Sequence, residues 1–260
     1  MGDSQAINNQ PRILFITQED PFYIRIFFEE FLKNYSDKTH ILGVVICPTM
    51  AKKSTIELVK QMYTFYGIRD FLHMALHYIL VKVKGNTLKG LCNIYNIPVY
   101  KEYNINGDLF LNHWRQQNLD VIVSVAAPSI FKKNLLNLPK WGCVNIHHSK
   151  LPHYRGMMPN FWQMYHSEKS SGITVHRINA GIDEGDIILQ RQIPIEKCDS
   201  LDSLIKRSKK VGAHCIIEAL DMIKNDRLNY ISNHKENGSY FSFPTRADVW
   251  EFRRQGKKIL

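Results

Sequence analysis

The sequence is poor in the features that mark secreted, membrane-spanning or metal-stapled proteins. Cysteine is sparse and odd in number: five among 260 residues (Cys47, Cys92, Cys143, Cys198 and Cys215), with no C-x-x-C pair. This argues against a disulfide scaffold, a zinc ribbon or a dithiol redox motif, and no metal site is expected; reduced thiols in a cytoplasmic protein are the plain reading. No long apolar run is free of charge: the best candidate, Ile68 to Val83, is broken by Arg69, Asp70, His73, His77 and Lys82, so no membrane span is expected. The start, Met1 to Gln10, has no basic stretch followed by an apolar core, so no signal peptide is expected. There is no G-x-S-x-G nucleophile elbow. Acidic residues are also short, 24 against 34 Lys+Arg, for a formal net charge of +10. That excess admits nucleic acid, an anionic membrane surface or a small anionic substrate as partner. With 44% hydrophobic and 22% charged residues, the composition is that of a globular protein and excludes disorder and collagen.

What is present alternates between strands and helices. Arg12 to Thr17 is an apolar strand, followed by a loop at Gln18–Pro21 and helical spacing from Phe22 to Lys33. Further strands are expected at His40–Cys47, Ile97–Tyr100, Val121–Val125, Gly142–His147 and Gly172–Ile178. A helix is expected over Leu109–Gln117 and another, capped by Asp199 or Ser200, over Ser200–Asn225. This order implies an α/β fold with a parallel sheet covered on both faces. A long helical region, Ser54 to Val83, places Leu72, Ala75, Leu76, Leu80 and Val83 on one face, expected against the sheet or a partner chain; a membrane-surface helix is the alternative. Near the end, Asn237-Gly238 between Tyr230-Ile231 and Tyr240-Phe241 reads as a β-hairpin, and Thr245–Leu260 as a basic helical tail. The expected division is a catalytic core over residues 1–197 and a helix, hairpin and tail over 198–260.

Chemistry concentrates in the middle of the chain. Asn145 and His147 share one face of a strand, at the carboxyl end where open α/β sheets bind ligands. Gly181-Ile-Asp183-Glu-Gly185 follows the next strand as a tight loop carrying an acid. An amide, an imidazole and a carboxylate brought together would suit acyl transfer: the first two stabilise an oxyanion, and the third orients the imidazole. A histidine at a strand end also serves as a satisfied structural residue, and the spacing leaves both readings open. His176 and Cys143 read as structural, Phe161 and Trp162 as core, and Arg155 as either a local ion pair or an anion contact.

The blocks Val144-Asn-Ile-His-His-Ser-Lys-Leu-Pro152, Tyr154-Arg-Gly156 with Pro159, Gly172-Ile-Thr-Val-His176, and Gly181-Ile-Asp-Glu-Gly185 with Ile187-Ile188 resemble, in order and spacing, the folate-dependent formyltransferases. The resemblance runs from Asp120 to Ile195 and implies a Rossmann-like core. It implies Asn145, His147 and Asp183 as the catalytic residues and 10-formyltetrahydrofolate as the formyl donor. It places the pterin near Ser124, Val125, Ala126, Ala127 and Pro128 and near Asn179, Ala180, Gly181 and Ile182, with Leu151–Gly156 walling the site. His148 stands where the family often has proline, and a His-His-Ser run occurs in the branch that hydrolyses formyltetrahydrofolate. The segment Tyr154–Trp162 looks more like the transferase branches.

The acceptor follows less directly. Methionyl-tRNA enzymes resembling this core add a larger C-terminal barrel, and glycinamide ribonucleotide enzymes lack the Ser54–Val83 insertion. Sugar formyltransferases have the core plus a short strand-rich end that supports dimers. The favoured acceptor is therefore an amino nucleotide-sugar, a small anionic amine, contacted by Thr17, Gln18, Tyr154 and Arg155 and by the loop Thr17–Phe22. A homodimer is expected, DNA and tRNA are not, and a membrane surface is a possible partner. A non-catalytic, membrane-associated binding module is the reading from a different class, which an intact trio disfavours.

Overall fold

The apolar runs of the sequence become the strands of one sheet. The computed structural model describes residues 10–48 and 54–260; the polar start discussed above lies, up to residue 9, outside the described residues. Strands β1 (Ile13–Gln18), β2 (Ile41–Cys47), β3 (Val99–Lys101), β4 (Val121–Val125) and β5 (Cys143–His147) run parallel in the order β3-β2-β1-β4-β5. Strand β6 (Arg155–Gly156) stands apart. Strands β7 (Ser170–Arg177) and β8 (Ile187–Pro194) extend the sheet antiparallel beyond β5. The sheet is thus mostly parallel and Rossmann-like, with an antiparallel flank.

Alternation along the strands sorts the core into two layers. Ile13, Phe15, Val44, Val123, Val144 and Ile146 pack toward α1 (Ile24–Asn34) and α7 (Leu201–Lys224). Leu14, Ile16, Val45, Ile122 and Cys143 pack with Phe110, Trp114 and Leu135 of α4 (Asp108–Arg115) and α5 (Lys133–Leu136). Helices α2 (Thr55–Val83), α3 (Leu88–Ile94), α6 (Pro159–Tyr165) and α8 (Arg246–Arg254) complete the helical set. The expected cap of α7 is present: the Ser200 side chain accepts from the Ser203 N–H.

Three expectations are corrected. The long helix α2 forms, with a capping box in which Ser54 and Glu57 satisfy each other's backbone N–H, and it bends at Gly67, whose φ is 70°. However, its Leu72–Val83 stripe does not pack on the sheet. Leu72, Leu76, Leu80 and Val83 are exposed, while Phe65, Tyr66 and Met74 hold the helix to the body. Periodicity reveals a stripe but not which of two apolar stripes faces inward. Second, there is no hairpin at Asn237-Gly238. Gly238 has φ −118°, whereas the expected tight turn requires positive φ. Its lack of a side chain serves a close approach instead, since a Cβ there would lie 2.1 Å from the Pro152 carbonyl. Ile231 bridges to Ile187, and β9 (Tyr240–Phe241) pairs parallel with β6.

Third, the division at residues 197/198 is no break in packing. Leu204, Ala213 and Ile216 of α7 share one buried cluster with Phe27, Val175 and Phe252 of α8. Phe252 is fully buried and stacks on Phe161, ring centroids 4.7 Å apart. Truncating a buried Phe removes its transfer energy and leaves a cavity, so Phe252→Ala should cost about 3–5 kcal/mol. Urea unfolding of the full chain measures this, and a loss below about 1 kcal/mol would show that the tail is not part of the core.

Candidate active site

Strand β5 ends at the carboxyl edge of the parallel strands, and its alternation separates two adjacent histidines. Asn145 and His147 leave the sheet on the Cys143 side. His148, one residue on, turns to the opposite face and meets α7. Across the sheet Asn145 lies between Ser124 of β4 and His176 of β7. The loop after β7 then brings Asp183 over the same face. Asn179 Oδ1 accepts from the Gly181 N–H at 3.0 Å, tightening the turn, and Asp183 itself has φ 53°. Gly185 allows the return: a Cβ there would sit 1.9 Å from the Arg177 carbonyl.

The three side chains converge as the sequence suggested. Asp183 Oδ2 is 3.5 Å from His147 Nδ1 and accepts from the Gly156 N–H at 2.9 Å. Asp183 Oδ1 is 3.5 Å from Asn145 Nδ2 and 3.6 Å from His176 Nε2. The second nitrogen of His147 is fixed from the wall loop: Nε2–H donates to the Tyr154 carbonyl at 2.8 Å. Nδ1 is therefore the nitrogen turned to the carboxylate. His176 fixes the amide in turn. Its Nδ1–H donates to the Arg177 carbonyl at 2.7 Å, so its Nε2 accepts from Asn145 Nδ2 at 3.1 Å.

Electrostatics follow from burial. Burial works against ionising Asp183, but His147, His176 and the Gly156 N–H outweigh it and hold the carboxyl below its ordinary range. Burial lowers the His147 pKa, with Asp183 and the Tyr154 carbonyl acting in opposition. The resting pair is an ionised carboxylate beside a neutral imidazole. A proton arriving at Nδ1 would be stabilised by that carboxylate. The arrangement can thus supply an amide donor, a proton-accepting imidazole and a fixed negative charge around one reacting carbon.

The other expected residues divide. Ala126 (φ 55°), Ala127 and Pro128 follow β4 beside the trio's strand, and Asn179, Ala180 and Ile182 are exposed on the acidic loop; Val125 and Ser124 are buried beneath. Thr17 is fully buried, and its hydroxyl donates to the Val125 carbonyl at 2.7 Å. Gln18 is half-buried. Asp20 accepts from the N–H groups of Phe22 and Tyr23 at 2.7 and 2.9 Å, which tightens the loop Thr17–Phe22 ahead of α1. The Tyr154 hydroxyl points away to Glu168, 2.6 Å, while its ring stacks on Phe241. Arg155 pairs with Glu184 at 2.9 Å, and its Nε is buried without a partner among the described residues. A cavity of about 400 Å³ behind the wall loop is lined by Lys150, Tyr154, His166 and Phe241 and by none of the trio.

Two groups escaped the sequence reading. Asn233, in the tail, donates to the carbonyls of Asp183 and Gly185 at 2.9 and 3.0 Å, and nothing in its flanking residues marks it. Lys209 looked like part of a basic helix face with Lys206, Arg207 and Lys210. It instead turns inward, 8% exposed, and donates to His148 Nε2 at 2.8 Å, while His148 Nδ1–H donates to Ser208 Oγ at 2.6 Å. Burial brings the Lys209 ammonium down to about 8, with Asp20 opposing. A period-2 reading that sends His148 to the α7 face was the available signal.

An amide, an imidazole and a carboxylate gathered at the carboxyl edge of a Rossmann-like sheet define an acyl-transfer type of site. The Formyl transferase family model matches residues 98–220, and the trio falls within that segment. Methionyl-tRNA formyltransferase of Ehrlichia ruminantium (strain Gardel) is 36% identical over 126 residues, 48% of this chain and 41% of that protein. The enzyme of the same name from Trichormus variabilis is 32% identical over 168 residues, 64% of this chain and 50% of that protein. The chain thus spans about half the length of the curated relatives it matches. An N-formyltransferase from Helicobacter canadensis, solved with folinic acid and dTDP-3-aminofucose, superposes with a TM-score of 0.57 at 20% identity, covering 89% of this chain and 71% of that one. Phosphoribosylglycinamide formyltransferase from Anaplasma phagocytophilum gives 0.59 at 16% identity, covering 90% and 100%. At these identities what is shared is the fold.

The depressed Asp183 carboxyl has a consequence for stability. A carboxyl whose pKa is lowered by folding stabilises the native state above its unfolded value, and that contribution fades as pH falls. Asp183→Asn should therefore be less stable than the wild type near neutrality, with the gap closing below about pH 4. Urea midpoints measured across this range test it; a gap that does not change with pH would show that Asp183 is not ionised by its neighbours.

Proposed function

We infer that this protein transfers a formyl group from 10-formyltetrahydrofolate to a primary amine. The observation that carries this reading is the convergence of Asn145, His147 and Asp183 at the end of β5, within the segment that matches the family. The amine attacks the formyl carbon, the carbon–N10 bond breaks, and the proton lost by the amine leaves with the folate nitrogen. Asn145 has two amide hydrogens. One is held by His176, and the other makes only the long 3.5 Å contact to Asp183, so it is the one a formyl oxygen would take over. His147 would receive the amine's proton at Nδ1, since Nε2–H is committed to the Tyr154 carbonyl. Asp183 stabilises the imidazolium so formed and fixes the wall loop through Gly156. The backbone of the loop Asn179–Ile182 and of the half-buried Ala126–Pro128 would receive the pterin.

For the acceptor we favour an amino nucleotide-sugar. The tail folds back on the catalytic core through β9, Asn233 and α8, and the Helicobacter canadensis N-formyltransferase of similar fold was solved with dTDP-3-aminofucose, which supports a small nucleotide-linked acceptor. The methionyl-tRNA reading has the sequence relatives on its side and is the alternative to test. One assay separates them: formyl transfer from 10-formyltetrahydrofolate to a panel of amino nucleotide-sugars, methionyl-tRNA and glycinamide ribonucleotide. The expected result is turnover with a nucleotide-sugar. Preferred turnover of methionyl-tRNA would replace that reading, and tetrahydrofolate release without any acceptor would make the protein a hydrolase. His147→Ala and Asp183→Asn should each lower transfer by at least about 100-fold; near-normal rates in either purified variant would sink the mechanism.

A further inference from the structure

The outer face of α2 carries an apolar stripe that none of the described residues covers. Beyond the bend at Gly67, Ile68, Leu72, Leu76, Ile79 and Val83 recur at spacings of three and four and are 65%, 62%, 59%, 55% and 79% exposed. The opposite face is the one bound to the body: Met74 is buried, Phe71 packs on the core, Tyr78 touches Phe22, and Lys82 pairs with Glu19. The helix is therefore seated by one stripe while a second, larger in side chain, points to solvent. Isolated exposed aliphatics are ordinary; a continuous row along four turns of one helix marks an interaction surface.

The chemistry beside the stripe identifies the partner. Arg69, His73 and Lys84 are exposed along its flank, and no ion pair engages any of them among the described residues. The one acid between Ile68 and Lys84, Asp70, is taken by Arg253 of α8. Arg253 also donates to the Tyr66 carbonyl at the bend. An aliphatic row flanked by the unpaired Arg69 and Lys84 is the composition of a helix that lies in a lipid interface. No described helix is long and apolar enough to cross a membrane. A second copy of this chain is the poorer fit, because pairing the stripes would bring together cationic flanks of two molecules that each carry a net charge of +10.

We propose that the outer stripe of α2 docks this protein on the surface of an anionic bilayer. The apolar row enters the headgroup boundary and the flanking cations meet lipid phosphates. Because α2 is tied to the first βα loop through Lys82–Glu19 and Phe22, docking holds the carboxyl edge of the sheet close to the membrane.

Flotation of the full chain with phosphatidylcholine vesicles, with and without phosphatidylserine, tests this at low and high salt. Binding is expected to the anionic vesicles and to weaken with salt. Leu72→Ser/Leu76→Ser and Arg69→Glu/Lys84→Glu should each weaken it by at least about tenfold. All these side chains are exposed, so both double variants should keep the wild-type circular dichroism spectrum, and the vesicle readout does not depend on formyl transfer. The proposal fails if the anionic vesicles do not retain the wild type, or if both double variants bind as well as it does. It also fails if light scattering shows a dimer that Leu72→Ser/Leu76→Ser dissolves while vesicles are not bound, which would make this face an interface between copies.

Discussion

One buried carboxylate organises the site. Asp183 touches His147, Asn145, His176 and the Gly156 N–H at once, and these contacts come from three different strands, β5, β7 and β6. An ionised carboxylate taken out of water costs several kcal/mol unless its lone pairs are met. The fold meets them by bending the acidic loop across the sheet and pinning the wall loop beneath it. Remove the charge and the reason for the Asn145 rotamer, the His147 orientation and the Gly156 approach disappears together. Gly156 itself sits at φ 92°, where a Cβ would lie 2.3 Å from the Phe241 carbonyl, so the donor to Asp183 is placed by a backbone that only glycine adopts easily.

The trio was legible because each member is announced locally. Two residues of a strand with period 2 share a face, and a glycine-flanked acid after the next strand has few places to go. The strand positions were legible for the same reason, since runs such as Ile13–Ile16 and Val121–Val123 have no polar interruption. What was not legible depends on sidedness and on long-range closure. The Leu72–Val83 periodicity of α2 is real, yet a helix with two apolar stripes does not say which one is buried. Lys209 reads as one more cation in a basic run until the burial of His148 shows where it points. Asn237-Gly238 obeys the local rule for a hairpin, and tertiary packing against Pro152 overrides it.

The two histidines at the end of β5 sit one residue apart in contrasting environments. His147 faces the carboxylate and is fixed by one carbonyl. His148 faces α7, accepts from Lys209 and donates to Ser208, and burial, Lys209 and His147 hold its pKa well below the ordinary value. The strand pleat alone assigns these roles. Lys209, counted among the basic residues of the chain, thus lies inside the molecule against His148 rather than on its surface.

Asn233 closes the acidic loop from the far end of the chain, and β9 zips onto β6 to set the carbonyl that holds His147. Translation delivers these residues after the trio itself. A nascent chain that has emerged only through Gly185 holds all three reacting side chains but not the braces that aim them. The geometry of the site thus depends on residues some fifty positions further along the chain than its acidic loop.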